Sequence, residues 1–164
     1  MRIFYSFLVV LSTPLVWLYF ALRGLRDPAY LGRWRERFGF IPSGVNRHGI
    51  WVHAASVGEF NAASPLLKVL LKTYPEIPLT VTTFTPTGSE RVKRELGARV
   101  SHSYIPFDMP GAVRRFLKRL QPAIIIVMET EIWPNLYLQS QRSAIPLLMA
   151  NARLSRRSVK RFQW

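Results

Sequence analysis

Short apolar runs alternate with amphipathic stretches through most of this chain, and that alternation restricts it to few folds. Five apolar runs have the length and composition of β-strands: 50–55, 79–84, 100–105, 123–128 and 146–150. Helical patterns separate or follow these runs at 58–73, 87–96, 111–120, 134–142 and from about Ser155. Such alternation favours right-handed crossovers between parallel strands. We therefore predict an α/β fold: a Rossmann-like parallel sheet with helices on both faces.

We expect residues 123–128 to form a strand in the middle of this sheet, because the run is apolar on both faces. Ligands of open parallel sheets bind beyond the carboxyl ends of the strands. The segments that follow the strands are therefore where chemistry is expected: 53–59, 85–88, 106–108, 129–131 and 151–153.

Residues 3–22 carry no charged side chain. A helix of that length extends about 30 Å, the thickness of a bilayer's hydrocarbon core. We predict a transmembrane anchor at residues 1–24. A cleaved signal peptide is the alternative, although no small-residue cleavage site follows the run. Arginines are more numerous after the run than before it, which favours a cytoplasmic location for the rest of the chain.

Residues 25–44 connect this segment to the sheet. Four large apolar residues recur there at helical spacing, with arginines beside them: Tyr30, Leu31, Trp34 and Phe38. This pattern predicts a short amphipathic helix on the membrane surface, or one packed against the domain. Pro42, Ser43 and Gly44 mark the junction with the domain predicted at residues 45–164.

The net charge of +14 requires anionic partners. Basic residues cluster at 114–119 and 153–161 without a nucleic-acid-binding motif, so we expect inner membrane lipids and a phosphorylated glycolipid, and no nucleic acid. The absence of cysteine excludes disulfides and thiolate metal sites. The three histidines are far apart, so we predict no metal and no cofactor, and we expect His53 to pack in the core.

The turn at residues 56–59 has two interpretations. Ser56 and Glu59 have the spacing of a capping box, which is a structural role. Gly58 would also allow a ligand close to the backbone, and Glu59 would then lie at the sheet edge as a candidate base. We expect the helix N-terminus to lower the pKa of Glu59, which would make it a weaker base.

Further candidates follow later strands. Thr85, Thr87 and Gly88 could present hydroxyl and N–H groups to an anion, or form an ordinary N-cap turn. Glu129 and Glu131 come directly after the buried strand. They could orient a substrate, or one could cap the next helix while the other pairs with an arginine.

Five ordered motifs resemble those of bacterial 3-deoxy-D-manno-octulosonic acid (Kdo) transferases. They are HAASVGE at 53–59, TTFTPTG at 82–88, PFDMP at 106–110, ETEIWPN at 129–135 and NARLS at 151–155. The resemblance extends from the N-terminal apolar segment to the last residue.

This resemblance implies the N-terminal domain of an inverting, metal-independent GT-B glycosyltransferase, which has two Rossmann-like domains. Its implied reaction transfers Kdo from CMP-Kdo to the lipid A precursor, lipid IVA, in lipopolysaccharide biosynthesis. The glutamate matching Glu59 is the implied general base. The substrate-binding candidates that go with it are Ser56, Gly58, Thr85, Thr87, Gly88, Glu129, Glu131 and Asn151.

The chain ends within a helical pattern at Trp164. We therefore expect residues 45–164 to be an acceptor domain truncated at its C-terminal end, with the donor domain absent. We expect a single-pass protein of the bacterial inner membrane with this domain on the cytoplasmic side. The alternatives are an inactive membrane-bound module that binds the acceptor, and another cytoplasmic-face GT-B glycosyltransferase.

Overall fold

The computed structural model describes residues 2–152. Three helices precede the sheet: α1 (Arg2–Leu11), α2 (Thr13–Arg26) and α3 (Trp34–Arg37). The strands are β1 (Ile50–His53), β2 (Leu79–Thr83), β3 (Ser101–Tyr104), β4 (Ile124–Met128) and β5 (Leu147–Ala150). The helices between them are α4 (Val57–Thr73), α5 (Pro86–Leu96), α6 (Pro110–Leu120) and α7 (Pro134–Arg142). Two short 3-10 helices occupy Pro28–Leu31 and Gly97–Arg99. The helix expected near Ser155 lies outside the described residues.

The five strands form one parallel sheet in the order β3-β2-β1-β4-β5. In the centre of this sheet Ile50 pairs with Leu79 on one side and with Ile124 on the other. The predicted α/β fold is confirmed, and the observed strands are one or two residues shorter than the predicted ones.

Alternate residues of the central strands supply two separate cores. Val52 and Ile126 pack with residues of α4 and α5 on one face of the sheet. Trp51 and Ile125 pack with residues of α6 and α7 on the other face. Because successive strand residues point to opposite faces, a strand covered by helices on both sides must be apolar throughout, as predicted for β4.

The uncharged N-terminal segment forms two helices rather than the single helix predicted. Within residues 2–152, no single helix is long and apolar enough to span a bilayer, whereas Phe4–Leu11 and Thr13–Arg26 meet that test together, bent by 40°. Pro14 lies at the start of α2 and has no N–H to continue the helix. At the break, the Ser12 hydroxyl donates to the carbonyl oxygen of Val9 at 2.9 Å.

Residues 25–44 do not form the one amphipathic helix that their periodicity predicts. Gly32 and Arg33 separate the first 3-10 helix from α3, and Arg33 has a left-handed φ of 57°. Tyr30 is buried, and the ring of Trp34 stacks on that of Trp17 at 4.2 Å. These aromatic side chains pack on α2 and the domain, because that contact buries more of their apolar surface than an exposed helix would.

Arg37 is fully buried among four rings, which we call the aromatic cage. Its guanidinium lies 4.3 to 5.8 Å from the ring centres of Phe20, Phe84, Tyr104 and Phe107. One of its terminal nitrogens donates to the carbonyl oxygen of Phe84 at 3.0 Å. Burial lowers the pKa of Arg37 to about 10, so the group stays charged at neutral pH. The cage joins α2 to the carboxyl ends of β2 and β3.

Gly39 and Gly44 form a matched pair for testing how the segment before β1 packs. Both have positive φ, +82° and +86°, so alanine strains the backbone at either position. A Cβ at Gly39 would overlap the carbonyl oxygen of Ala112 in α6, whereas one at Gly44 would meet no atom within 4 Å.

We predict that Gly44→Ala lowers the free energy of unfolding by about 1–2 kcal/mol and that Gly39→Ala lowers it by at least twice as much. Urea unfolding of both variants in a mild detergent measures the difference. Equal losses would contradict the close packing of this segment on α6.

Candidate active site

The turn between β1 and α4 holds Glu59 by hydrogen bonds at both of its carboxylate oxygens. Ser56 is the N-cap of α4, with extended backbone (φ −124°, ψ 172°), and its hydroxyl oxygen accepts from the Glu59 N–H at 3.3 Å. That hydroxyl donates to Glu59 Oε1 at 3.1 Å, and the Ala55 N–H donates to Oε2 at 2.8 Å. Ser56 therefore caps α4. The Glu59 carboxylate accepts from the N–H of Ala55, whereas in a standard capping box it would accept from the N–H of the N-cap residue, Ser56.

The Glu59 side chain is buried, and its residue is 8% exposed. Burial raises the pKa of Glu59 and is the largest influence on it, while hydrogen bonds from Ala55 and Ser56 act in the opposite direction. The charges of Glu131 and Glu129 raise this pKa further. Our expectation of a lowered pKa is wrong, because desolvation and two neighbouring carboxylates outweigh the helix N-terminus. A carboxylate with a raised pKa is a stronger base once ionised.

Glu129 and Glu131 differ in what holds them. Glu129 has a left-handed backbone (φ 57°), and its N–H donates to the carbonyl oxygen of Ala150 at 2.8 Å. Within residues 2–152 its carboxylate accepts no hydrogen bond and joins no ion pair. Glu131 accepts from the Trp133 indole N–H at 3.0 Å, and its carbonyl oxygen accepts from the Tyr137 hydroxyl. Glu129 is therefore a candidate ligand contact, because its backbone is strained and its carboxylate has no hydrogen-bond or ion-pair partner within residues 2–152.

The alternative that a glutamate caps α7 is wrong, because Asp108 does so from the segment after β3. Its Oδ2 accepts from the Asn135 N–H and its Oδ1 from the Leu136 N–H, each at 2.9 Å. The Tyr5 hydroxyl of α1 donates to Oδ2 at 3.0 Å. The capping role of Asp108 was not predicted, although Asp108 follows a strand and lies in the PFDMP motif at 106–110.

The segment after β2 forms an N-cap turn, which the sequence predicted as the alternative to an anion-binding site. Thr85 is the N-cap of α5, and its Oγ1 accepts from the Gly88 N–H at 3.2 Å. The hydroxyl oxygens of Thr85 and Thr87 lie 3.2 Å apart. A Cβ on Gly88 would lie 3.1 Å from Thr85 Oγ1 and 3.2 Å from the Cβ of Thr83. Packing alone therefore explains glycine at this position.

Packing does not explain Gly58, which is exposed in the first turn of α4. A Cβ there would meet Ser56 Oγ at 3.8 Å, an ordinary contact, so the missing side chain leaves this helix N-terminus open to a ligand. Asn151 follows β5, is exposed and has a φ of 57°.

His53 packs in the core as predicted, with its Nδ1 3.0 Å from the hydroxyl oxygen of Thr82. Burial lowers its pKa to about 4, so its ring is neutral at physiological pH. Among residues 2–152, no group of three or more His, Cys, Asp or Glu side chains is placed to hold a metal ion.

We predict that Ser56→Ala raises the pKa of Glu59 further, because it removes a hydrogen bond that stabilises the ionised form. The lost cap should also lower the free energy of unfolding by about 1 kcal/mol. Carbon-13 NMR titration of the labelled Glu59 carboxyl measures the pKa.

Thr85→Ala is the matched control, since it removes the N-cap of α5 and leaves the Glu59 hydrogen bonds in place. It should lower stability to a similar extent and leave the pKa of Glu59 unchanged. The same pKa shift in both variants would rule out a specific effect of Ser56.

A protein-family model and several similar proteins identify the same family. A protein-family model described as 3-Deoxy-D-manno-octulosonic-acid transferase (kdotransferase) matches residues 32–164. The 3-deoxy-D-manno-octulosonic acid transferase of Haemophilus influenzae is 47% identical over 163 residues, which are 98% of this chain and 38% of that protein. A probable mitochondrial 3-deoxy-D-manno-octulosonic acid transferase of Arabidopsis thaliana is 40% identical, over 92% of this chain and 34% of its own.

The Bordetella pertussis transferase is 36% identical over 88% of this chain and 38% of its own length. The chain thus spans about 38% of the length of the Haemophilus influenzae and Bordetella pertussis relatives. Because the family model covers most of the sequence and the identities are high, the chain belongs to the Kdo transferase family of glycosyltransferases.

Proposed function

We propose that this chain is the acceptor-binding, base-bearing part of an enzyme that transfers Kdo from CMP-Kdo to lipid IVA. The observation that carries the proposal is Glu59, a buried carboxylate with a raised pKa that follows β1 at the carboxyl edge of a parallel sheet. Ligands of open parallel sheets bind at that edge. Membership of the Kdo transferase family supports the identity of the sugar that is transferred.

In this mechanism Glu59 accepts the proton of an acceptor sugar hydroxyl while that oxygen attacks the anomeric carbon of Kdo. The bond from the anomeric carbon to the CMP phosphate oxygen breaks, and CMP leaves with the electron pair. Attack opposite the leaving group inverts the anomeric configuration. The Ala55 N–H and the Ser56 hydroxyl fix the carboxylate in place before the acceptor arrives, so little orientation is lost during the reaction.

Glu129 is the better of the two later glutamates for orienting the acceptor. Its carboxylate is uncommitted within residues 2–152, whereas Glu131 already binds the Trp133 indole. The charges of both glutamates raise the pKa of Glu59, so both carboxylates influence the proposed base. The absence of a side chain at Gly58 leaves room for a ligand at the N-terminus of α4.

Attachment to the cytoplasmic face of the bacterial inner membrane forms part of the proposal. The bent pair α1–α2 has the length and hydropathy for it, and Arg23 and Arg26 lie in the last turn of α2. Both helices touch the carboxyl edge of the sheet: Ser6 donates to Asn135 at 2.9 Å, and Phe20 packs on Phe84. A membrane-embedded acceptor could therefore reach this edge without leaving the bilayer. The CMP-Kdo site is assigned mainly to the part of the relatives that this chain does not cover.

The test is Glu59→Gln in a chimera that joins this chain to the remainder of the Haemophilus influenzae transferase. Loss of the base should reduce kcat for Kdo transfer to lipid IVA by at least about 100-fold, since general base catalysis contributes about 10²–10⁴-fold. Kdo transfer and CMP release are measured together.

Glu90→Gln, at an exposed glutamate of α5, is the control and should leave turnover unchanged. Near-normal turnover of Glu59→Gln would remove the base assignment. Acceptor binding by the chimera without CMP release would favour an inactive acceptor-binding module instead.

A further inference from the structure

A groove of about 620 Å³ lies where the segment after α2 crosses α6. Leu31, Trp34 and Ile41 provide apolar surface in its lining, and Arg35 and Arg119 provide guanidinium groups. Its lining does not include Glu59 or any other residue of the candidate active site. The volume is within the range of small-molecule sites, about 300–1,000 Å³.

Three arginines surround one phenylalanine ring in this groove. The guanidinium carbons of Arg35, Arg115 and Arg119 lie 5.4, 4.5 and 4.6 Å from the ring centre of Phe40. Arg115 also donates to the carbonyl oxygen of Phe38 at 2.5 Å. No salt bridge within residues 2–152 involves any of the three arginines. Cation–π attraction holds each side chain on the ring, but the three positive charges repel one another.

The acidic residue of the lining does not neutralise this charge, because its carboxylate is turned inward. Both Glu36 oxygens accept from Arg33, at 2.6 and 2.7 Å. Oε2 also accepts from the Tyr104 N–H at 2.8 Å and from the Ser103 hydroxyl at 3.1 Å. Glu36 is 6% exposed. The groove therefore presents the positive charge of Arg35 and Arg119 beside an apolar wall.

The apolar wall is continuous with α2. The Trp34 ring stacks on Trp17, and the Leu31 side chain lies against Gly24. Gly24 lies near the C-terminal end of the bent helix pair, and Trp17 is the fifth residue of α2.

We propose that this groove binds the phosphate of an anionic membrane lipid. Arg35 and Arg119 contact the phosphate oxygens, for which a planar guanidinium fork is well suited. Leu31, Trp34 and Ile41 contact the glycerol and the first methylenes of the acyl chains. The inference rests on the proposed membrane attachment and not on the transfer reaction. It adds a lipid-binding site that is separate from Glu59.

The test titrates dihexanoyl phosphatidic acid into the purified chain in dodecyl maltoside micelles and counts bound lipid by native mass spectrometry. Arg35→Gln combined with Arg119→Gln should raise the Kd at least tenfold. Arg114→Gln combined with Lys118→Gln removes the same charge from exposed positions of α6 outside the groove, and should change the Kd less than twofold. Circular dichroism checks that both double variants are folded.

Arg35→Lys combined with Arg119→Lys keeps the charge and should bind at least threefold more tightly than the double glutamine variant. Equal weakening by the two charge-removing pairs would overturn the site, because it would show an effect of overall charge only. Displacement of the lipid by an equal concentration of glycerol 3-phosphate would overturn the lipid assignment in favour of a free phosphate.

Membrane attachment is tested separately, by flotation of the wild-type chain with phosphatidylcholine vesicles. Absence from the vesicle fraction would refute the attachment on which this inference rests. The chain could also float with the vesicles while lipid binding neither saturates nor differs between the variants. That result would refute the groove as a binding site and leave the membrane attachment standing.

Discussion

The buried guanidinium of Arg37 is the interaction on which the placement of the N-terminal helices depends. Two of its nitrogens, Nε and one terminal nitrogen, have no hydrogen-bond partner among the described residues, so its desolvation is offset mainly by the rings around it. One ring, Phe20, comes from α2, and two others, Phe84 and Phe107, follow β2 and β3. Moving α2 away would remove the Phe20 ring, whose centre lies 4.4 Å from the guanidinium carbon. The N-terminal helices and the carboxyl edge of the sheet are therefore packed as one unit.

At that edge, opposing influences act on Glu59. The N-terminus of α4 and two hydrogen bonds favour its charged form, while burial and the charges of Glu129 and Glu131 favour the neutral form. Burial and the two neighbouring charges outweigh the helix N-terminus and the hydrogen bonds, so the pKa of Glu59 is raised in the folded state. The contribution of this group to stability is therefore greatest at acidic pH and is lost as the pH rises through the folded-state pKa. An ionised Glu59 therefore costs stability, which supports the role of base proposed for it.

The sheet and the turn at Ser56 could be predicted from sequence because each depends on local spacing. Apolar residues on both faces of a six-residue run indicate a buried strand, and Ser56 lies three positions before Glu59, as in a capping box. Features that depend on distant residues could not be predicted. Asp108 caps a helix that begins 26 residues later, at Pro134. The burial of Arg37 and the direction of the pKa shift at Glu59 depend likewise on side chains that only the fold brings together.

The proposed base is Glu59, and the turn that holds it sets its pKa. The most direct test is the pH dependence of kcat/KM for Kdo transfer, measured with the chimeric enzyme and its Ser56→Ala variant. We predict that activity rises with pH along a limb whose midpoint lies above the ordinary pKa of a glutamate. In the variant that midpoint should move to higher pH, because the Ser56 hydroxyl no longer stabilises the carboxylate. A limb with the same midpoint in both enzymes would show that the titrating base is a group other than Glu59.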